Sequence, residues 1–238
     1  MNIAQLEKQS FELFNFQLTG YQLDQLSQYE RLLREWNQKI SLTAICDAEG
    51  IQQKHFLDSI STVNVLKKHN FSNVIDVGTG AGFPGLVVKI LFPDIQLTLV
   101  ESVGKKVQFC TVVAEKLGLS HVSLFNERAE ILGRDDGHRE HYGVAIARAV
   151  AAMPILCEYL LPFVQRGGVM VAQKGESGPA ETHLAENAIR LLGGKVNFIH
   201  QVTLPGVVEE RYLVEIKKIA PTPERYPRRV GIPTKRPL

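Results

Sequence analysis

The strongest constraint on the fold is a glycine-rich turn that follows a short apolar run. The run 74–77 is β-branched apart from Asp76, which is typical of a buried central strand. Gly78, Gly80 and Gly82 follow at alternate positions. Glycine has no Cβ and tolerates positive φ, so a ligand can lie against the backbone there. Pro84 suits the first turn of a helix. The stretch predicts a strand, a ligand-binding turn and a helix whose first N–H groups face the ligand.

Two cofactor interpretations compete for this turn. The segment 80–85 matches G-x-G-x-x-G, the dinucleotide fingerprint. That fingerprint should open directly after its strand, whereas here Gly78 is the first glycine and Asp76 stands two residues before it. The pattern Asp-x-Gly-x-Gly-x-Gly resembles motif I of the class I S-adenosylmethionine (SAM) methyltransferases. A turn that serves packing alone is the third interpretation, and it is disfavoured because three glycines weaken a turn unless the space is needed.

Composition narrows the class of protein. The chain has 238 residues, of which 45% are hydrophobic and 22% charged, as expected for one globular α/β domain with an appendage. It contains neither a membrane-length apolar run nor a secretory leader at its first residues. Cys46, Cys110 and Cys157 are scattered, so we expect small core residues in a reducing cytoplasm, without disulfides or a metal site.

The chain divides into three parts that should form one compact unit. Residues 1–70 form a helical cap, in which Thr19 and Gln22 predict a capping box at the start of a long helix, and residues 49–69 predict a further helical region. Residues 71–220 form the core. Residues 221–238 form a proline-rich tail, which we expect to be extended and irregular.

Strands and helices alternate through the core. Predicted strands at 74–77, 95–100, 121–125, 143–147 and 168–173 are followed by predicted helices at 83–92, 104–117, 129–132, 154–161 and 180–192. The last two strands, 196–203 and 212–217, have a link too short for a crossover helix, so they should be antiparallel. The result is a seven-stranded, mostly parallel sheet that ends in an antiparallel hairpin, which resembles the Rossmann-like class I SAM methyltransferase fold. A simple dinucleotide fold would add another crossover helix.

Candidate cofactor residues are those at the carboxyl ends of the strands, where open α/β sheets bind ligands. Glu101 and Ser102 follow the second strand, and a carboxylate there can accept from both ribose hydroxyls. Ala129 and Glu130 follow the third strand and could read an adenine edge; capping of a helix by Glu130 is the alternative. Arg148 ends the fourth strand and should face the cleft toward a cofactor carboxylate or a substrate phosphate. A buried ion pair is its alternative.

Basic residues point to a polyanionic partner. The tail carries five basic residues against Glu224, although the net charge of the whole chain is only +2. A solubilising tail is the alternative to a tail that binds a partner. Lys174, at the end of the fifth strand, is a weaker phosphate candidate.

His55 and Asp58 lie three residues apart on one helix face. We interpret them as a packing or capping pair rather than as metal ligands.

An ordered set of motifs over nearly the whole chain resembles one family, the bacterial small-subunit rRNA guanine-N7 methyltransferases, also called glucose-inhibited division protein B. The set comprises 37–45, 55–59, 76–85, 101–106, 128–130, 147–149 and the tail 226–238. The resemblance implies an enzyme that uses SAM to methylate one guanine N7 in the decoding region of 16S rRNA, free or in the small ribosomal subunit. It places SAM at Gly78, Phe83, Ala129, Glu130 and Arg148, to which the motifs add Asp76, Gly80, Glu101 and Ser102.

The implied chemistry needs no catalytic base, because guanine N7 is an unprotonated lone pair. Arg148 could help to position the reactants. RNA phosphates are expected at Lys105, Lys106, Arg128, Lys174, Arg225, Arg228, Arg229, Lys235 and Arg236. We expect no metal or membrane partner, and a monomer. Three alternatives remain open: a methyltransferase for a small molecule or protein, an NAD-dependent oxidoreductase, and a non-catalytic RNA-binding or assembly protein.

Overall fold

One seven-stranded sheet organises the molecule. The computed structural model describes residues 2–238. The strands are β1 Asn73–Val77, β2 Gln96–Val100, β3 Val122–Phe125, β4 Tyr142–Arg148, β5 Val164–Lys174, β6 Gly194–Val202 and β7 Arg211–Lys218. Their order across the sheet is β3-β2-β1-β4-β5-β7-β6. Strands β1 to β5 are parallel, and β7 runs antiparallel to both β5 and β6. This arrangement confirms the predicted fold class.

Successive side chains of each strand point to opposite faces of the sheet, so both faces present apolar residues. Helices cover both faces. On one face, Val74 and Ile146 contribute to an apolar cluster that also contains the N-terminal helices α1 Ile3–Phe14 and α2 Gly20–Asn37. Helices α6 Gly85–Leu91 and α7 Gly104–Lys116 pack on the same face. On the other face, Ile75 and Ala145 pack with α8 Ala129–Leu132, α9 Met153–Leu160 and α11 Glu186–Leu191, which follows α10 Gly178–Leu184. Within residues 2–238, no helix could cross a membrane.

The capping box is present, but the second helical region of the cap is not one helix. The Thr19 hydroxyl accepts from the Gln22 N–H at 3.2 Å, and Gln22 Oε1 accepts from the Thr19 N–H at 2.9 Å. The region predicted at 49–69 divides into α3 Ala48–Ile51, a π-helical turn Gln52–Leu57, α4 Asp58–Ile60 and α5 Val63–Leu66. Hydroxyl groups explain part of this break: those of Ser59 and Ser61 bond to local carbonyls and compete with the helical ladder.

The tail is irregular, as predicted, except for one short helix, α12 Ile232–Lys235. It lies on the core rather than in solvent. Arg139 donates to the carbonyls of Thr222 and Tyr226 at 2.7 Å, and Arg134 donates to the carbonyl of Pro227 at 2.7 Å. Tyr226 is buried and belongs to the apolar cluster of the second face. The tail is therefore part of the folded core.

Candidate active site

Five of the predicted cofactor residues line one cleft. We call it the first cleft; it lies at the carboxyl ends of β1, β2 and β3 and has an open volume of about 390 Å³. Its walls are Val77, Gly78, Val100, Glu101, Ser102, Glu127, Arg128, Ala129, Glu130, Val150 and Tyr159. The structure brings Gly78, Glu101, Ser102, Ala129 and Glu130 together here. Tyr159 was not predicted, because nothing distinguishes it from other residues of an apolar helix.

Gly78 is required by the shape of the first cleft. Its φ is +69°, and a Cβ there would lie 2.7 Å from Cγ2 of Val150, which is also a wall residue. The Gly78 N–H donates to the carbonyl of Val100 at 2.8 Å, which joins the turn to β2. Any larger residue would strain the backbone and fill the space open to a ligand.

Asp76 holds the glycine turn in place from its buried side. It is fully buried, and its Oδ2 accepts from the Thr79 hydroxyl at 2.6 Å and from the Gly85 N–H at 2.8 Å. Burial raises the pKa of Asp76 to about 6, although these two hydrogen bonds lower it. Asp76 thus caps α6 and is not a wall of the first cleft. The helix N–H that we expected to face a ligand is used by Asp76, and Pro84 stands at the N-cap, before the first turn.

Glu101 fixes the second edge of the first cleft. Its carboxylate accepts from the Gly80 N–H at 3.0 Å through Oε2 and from the Val103 N–H at 2.9 Å through Oε1. Only 7% of the residue is exposed. Oε1 also accepts from the Ser102 hydroxyl at 3.5 Å, so Oε2, with a single donor, is the oxygen that retains capacity toward a ligand. Gly80 therefore contributes indirectly, by holding this carboxylate against the glycine turn.

A second cleft adjoins the first at the ends of β4 and β5. It has an open volume of about 840 Å³ and is lined by Ile45, Lys54, His55, Asp58, Arg148, Ala149, Gln173, Lys174, Gly175, Ser177 and Arg211. Ala149 lines this second cleft and Val150 lines the first. The chain that leaves β4 therefore forms the wall between them. One side of the second cleft comes from the cap, which explains how the cap contributes to the site.

Arg148 is both paired and placed in a cleft. Its Nη1 donates to Asp58 Oδ2 at 2.9 Å and to the Lys54 carbonyl at 3.1 Å, and its Nη2 meets His55 Nδ1 at 3.2 Å. The guanidinium also lies 5.1 Å from the ring centroid of Phe83. The two sequence alternatives for Arg148 therefore coexist. His55 and Asp58 are joined through Arg148, and this bridge from cap to β4 was not foreseen.

The protonation state of His55 follows from its partners. Arg148 can only donate, so Nδ1 must accept, and the ring hydrogen belongs on Nε2, which lies 2.8 Å from the Thr43 hydroxyl. Burial, and secondarily the Arg148 charge, lower the pKa of His55 to about 4. The ring stacks on Phe83 with centroids 4.8 Å apart. His55 is thus a neutral link between the cap and the glycine turn.

This depressed pKa predicts a loss of stability in acid. The unfolded chain binds a proton at His55 below about pH 6.5, whereas the folded chain does so only near pH 4. The contribution of His55 to the free energy of unfolding is fully present above pH 6.5. It falls by about 3 kcal/mol as the pH is lowered from 6.5 to 4. We expect urea unfolding to show a steeper decline over this window in the wild type than in His55→Gln. Equal pH dependences of the free energy of unfolding in the two proteins would contradict the depressed pKa of His55. The raised pKa of Asp76 acts in the opposite direction, but it does so in both proteins and cancels in the comparison.

The tail reaches the first cleft. The Gly231 N–H donates to Glu130 Oε1 at 3.1 Å, and the Thr234 hydroxyl meets the Tyr159 hydroxyl at 3.1 Å. Glu130 and Tyr159 are both walls of this cleft. Glu130 therefore bonds the tail as well as standing near a helix start. Nothing in the order of motifs indicated that the tail closes back on the cofactor residues.

The predicted RNA-binding residues fall into two groups. Lys105, Arg128, Arg225, Arg229, Lys235 and Arg236 are exposed and Lys106 is half-buried. Two others are engaged within the protein. Lys174 pairs with Glu181 at 2.6 Å, and Arg228 pairs with Glu158 at 2.6 Å through Nη2. Glu158 is fully buried, so Arg228 anchors the tail to α9 and is less available to a phosphate than its neighbours.

The three cysteines differ in their surroundings. Burial raises the pKa of both Cys110 and Cys157, which keeps them as thiols. Cys46 is exposed, so the expectation of three core cysteines was wrong for this one. Across residues 2–238, no group of three or more His, Cys, Asp or Glu side chains could hold a metal ion.

Solved structures share this architecture. A 16S rRNA (adenine(1408)-N(1))-methyltransferase from Catenulisporales acidiphilia superposes with a TM-score of 0.53 at 14% identity, over 64% of this chain and 87% of that one. The P. horikoshii TYW2 in complex with MeSAdo superposes with a TM-score of 0.53 at 12% identity, over 68% of this chain and 61% of that one. The fold is that of the class I SAM-dependent methyltransferases.

Sequence comparison gives the family. The family model GidB, rRNA small subunit methyltransferase G, matches residues 22–213. A ribosomal RNA small subunit methyltransferase G of Alkaliphilus metalliredigens is 42% identical over 238 residues, covering 100% of both chains. Another from Acetivibrio thermocellus is 45% identical over 225 residues, covering 94% of this chain and 92% of the relative. The chain belongs to the rRNA small subunit methyltransferase G family.

Proposed function

We propose that this chain transfers the methyl group of SAM to N7 of one guanine in 16S rRNA. The observation that carries the proposal is the meeting of Gly78, Glu101, Ser102, Ala129 and Glu130 at one cleft, beside a second cleft that can receive a substrate. The absence of a Cβ at Gly78 leaves backbone open to a cofactor. SAM, when bound, supplies an electrophilic methyl group.

Three walls of the first cleft, together with Arg148 of the second cleft and Phe83, have roles toward SAM in this proposal. Glu101 accepts hydrogen bonds from the ribose hydroxyls with the remaining capacity of Oε2. The Ala129 backbone and Glu130 receive the adenine edge. Arg148 uses three N–H groups within the protein, so two of its five donors remain for the carboxylate of SAM. The Phe83 ring holds the Arg148 guanidinium through a cation–π contact.

The reaction requires the protein to align the methyl group of SAM with guanine N7, and it requires no proton transfer. Guanine N7 already carries the lone pair that attacks the methyl carbon. Catalysis then depends on positioning and on stabilising the changing charges. A fixed guanidinium at Arg148 and the Asp58 carboxylate beside it provide such an environment.

Both clefts are built from one chain, so a monomer suffices for the proposed reaction. The compartment that rRNA methylation implies is the reducing cytoplasm.

The RNA surface is the exposed basic group around the first cleft and on the tail. Lys105 and Arg128 flank the ends of β2 and β3, and the tail adds Arg229, Lys235 and Arg236. Contacts from these side chains to phosphates position an RNA without reading its sequence. Salt dependence is the measurable consequence, because each neutralised phosphate releases counterions.

Point substitutions test this surface better than removal of the tail. Deleting 221–238 would strip the buried Glu158 of its partner and damage the core. We expect Arg229→Ala, Lys235→Ala and Arg236→Ala together to weaken rRNA binding about tenfold or more at low salt and to flatten its salt dependence by roughly one unit of slope per lost contact. SAM affinity should not change. Filter-binding at several salt concentrations measures both quantities; an unchanged slope would assign RNA binding elsewhere.

Calorimetric titration with SAM, S-adenosylhomocysteine and NAD tests the cofactor. Binding of SAM and its demethylated product, without NAD, supports a methyltransferase. NAD binding alone would instead favour the dinucleotide interpretation of residues 80–85. Binding of none of the three, together with retained RNA binding, would favour a non-catalytic RNA-binding protein.

A further inference from the structure

Gln173 presents a buried hydrogen-bond acceptor without a partner. The residue is 6% exposed, stands one position before the end of β5 and lines the second cleft. Its Nε2 donates to the Asp58 carbonyl at 2.7 Å, which fixes the orientation of the amide, since the reverse would place two acceptors together. Its Oε1 has no hydrogen-bond partner anywhere in residues 2–238. An unpaired buried acceptor is costly to a fold, and because this one lies in the wall of a cleft, a ligand bound there can supply the missing donor.

The place of Gln173 in the sheet relates it to the cofactor. Arg148 and Gln173 are paired in register, and β4 lies between β1 and β5. The glycine turn, Arg148 and Gln173 therefore stand in a row along the carboxyl edge, with successive strands about 4.8 Å apart. A flat ligand in the second cleft would meet them in that order.

Guanine has a matching order of groups around its ring. N7 and O6 are acceptors, and N1–H and the 2-amino group are donors that follow on the side away from N7. We propose that the second cleft takes the target guanine, with N7 toward the first cleft and Gln173 Oε1 accepting from the N1–H or the 2-amino group. Adenine has no donor at either place. This inference rests on the proposed function and adds the residue that selects guanine.

Most of the positive charge of the second cleft is paired with carboxylates. Lys54 pairs with Glu209 at 3.2 Å, Arg148 with Asp58 at 2.9 Å and Lys174 with Glu181 at 2.6 Å. Three of the four cations of the cleft are thus balanced by carboxylates, whereas Arg211 has no carboxylate partner within residues 2–238 and donates only to the Glu210 carbonyl at 3.5 Å. A neutral guanine therefore needs no counter-charge from the paired residues of the cleft. Ile45 and Ala149 add apolar surface for the ring.

The test compares bases at the target position of the rRNA. We would measure kcat/KM for methyl transfer to rRNA carrying guanine, hypoxanthine (inosine), which lacks the 2-amino group, or 2-aminopurine, which lacks N1–H together with O6. We expect the wild type to lose about tenfold or more on at least one analogue, the equivalent of one hydrogen bond. Gln173→Met should lose most of that preference because its activity on guanine falls toward the level on the analogue.

The control is Gln165→Met, an exposed glutamine at the opposite end of the same strand, which should keep the wild-type preference. Gln173→Asn, which withdraws the amide by one carbon, covers the case in which the methionine variant does not fold. SAM affinity and thermal melting separate folding from base selection. If Gln173→Met or Gln173→Asn folds and keeps the full preference for guanine over both analogues, the inference is overturned. A wild type inactive on guanine would instead refute the proposed function.

Discussion

Replacing Gly78 by valine is expected to abolish SAM binding, with a loss of affinity of at least about a hundredfold, or roughly 3 kcal/mol. The backbone at Gly78 has a φ of +69°, and an added Cβ would lie 2.7 Å from the Val150 side chain. A branched side chain there must either displace Val150 or enter the first cleft, and both close the space where SAM is proposed to lie. Calorimetric titration with SAM and S-adenosylhomocysteine measures the loss.

Gly118→Val is the matched control for backbone strain. Gly118 also has a positive φ, +63°, but an added Cβ there would meet nothing within 4 Å, and the residue is not a wall of either cleft. Both variants should lose about 1–2 kcal/mol of stability from the left-handed backbone. Only Gly78→Val should lose SAM. Equal SAM affinities in the two variants would refute the assignment of the first cleft.

Replacing Arg228 by alanine is expected to destabilise the protein by about 3 kcal/mol, the typical cost of leaving a buried charge without its partner. Glu158 is fully buried, and Arg228 meets it through its backbone N–H at 2.7 Å and through Nη2 at 2.6 Å. Urea denaturation measures the difference. SAM affinity should fall as well, because the tail beyond Arg228 contacts Glu130 and Tyr159 of the first cleft.

Arg229→Ala is the neighbouring control. Arg229 is exposed, so its loss should change stability by no more than about 0.5 kcal/mol. A small effect for both variants would show that Glu158 is readily hydrated and that the tail is only loosely held. A large effect on stability with unchanged SAM affinity would separate the anchoring of the tail from the first cleft.

The fold could be predicted from the sequence because its signals are local. The glycine turn, the alternation of strands and helices, and the short link before β7 each depend on residues close together in the chain. The capping box at Thr19 and Gln22 is equally local. The gathering of Gly78, Glu101 and Glu130 followed from a general rule, since the carboxyl ends of parallel strands meet at one edge.

The remaining features depend on contacts between distant residues. Arg148 meets Asp58 across 90 positions of the chain, and Gly231 meets Glu130 across 101. No periodicity in the sequence reports such pairs. The prolines and charges of the tail predict only an extended, irregular basic segment, and they do not show that Tyr226 and Arg228 fix it to the core. Nothing in the sequence singles out Gln173, since a polar residue near the end of an apolar strand is common.

The most direct test of the proposed function is transfer of a labelled methyl group from SAM to small-subunit rRNA, offered both free and assembled. The modified base is then mapped by reduction and aniline cleavage, which cut the chain at N7-methylguanine. The proposal predicts label at one guanine of 16S rRNA, cleavage there, and neither signal with Gly78→Val. Label on a different atom, on many guanines or on a small molecule or protein instead of rRNA would contradict it.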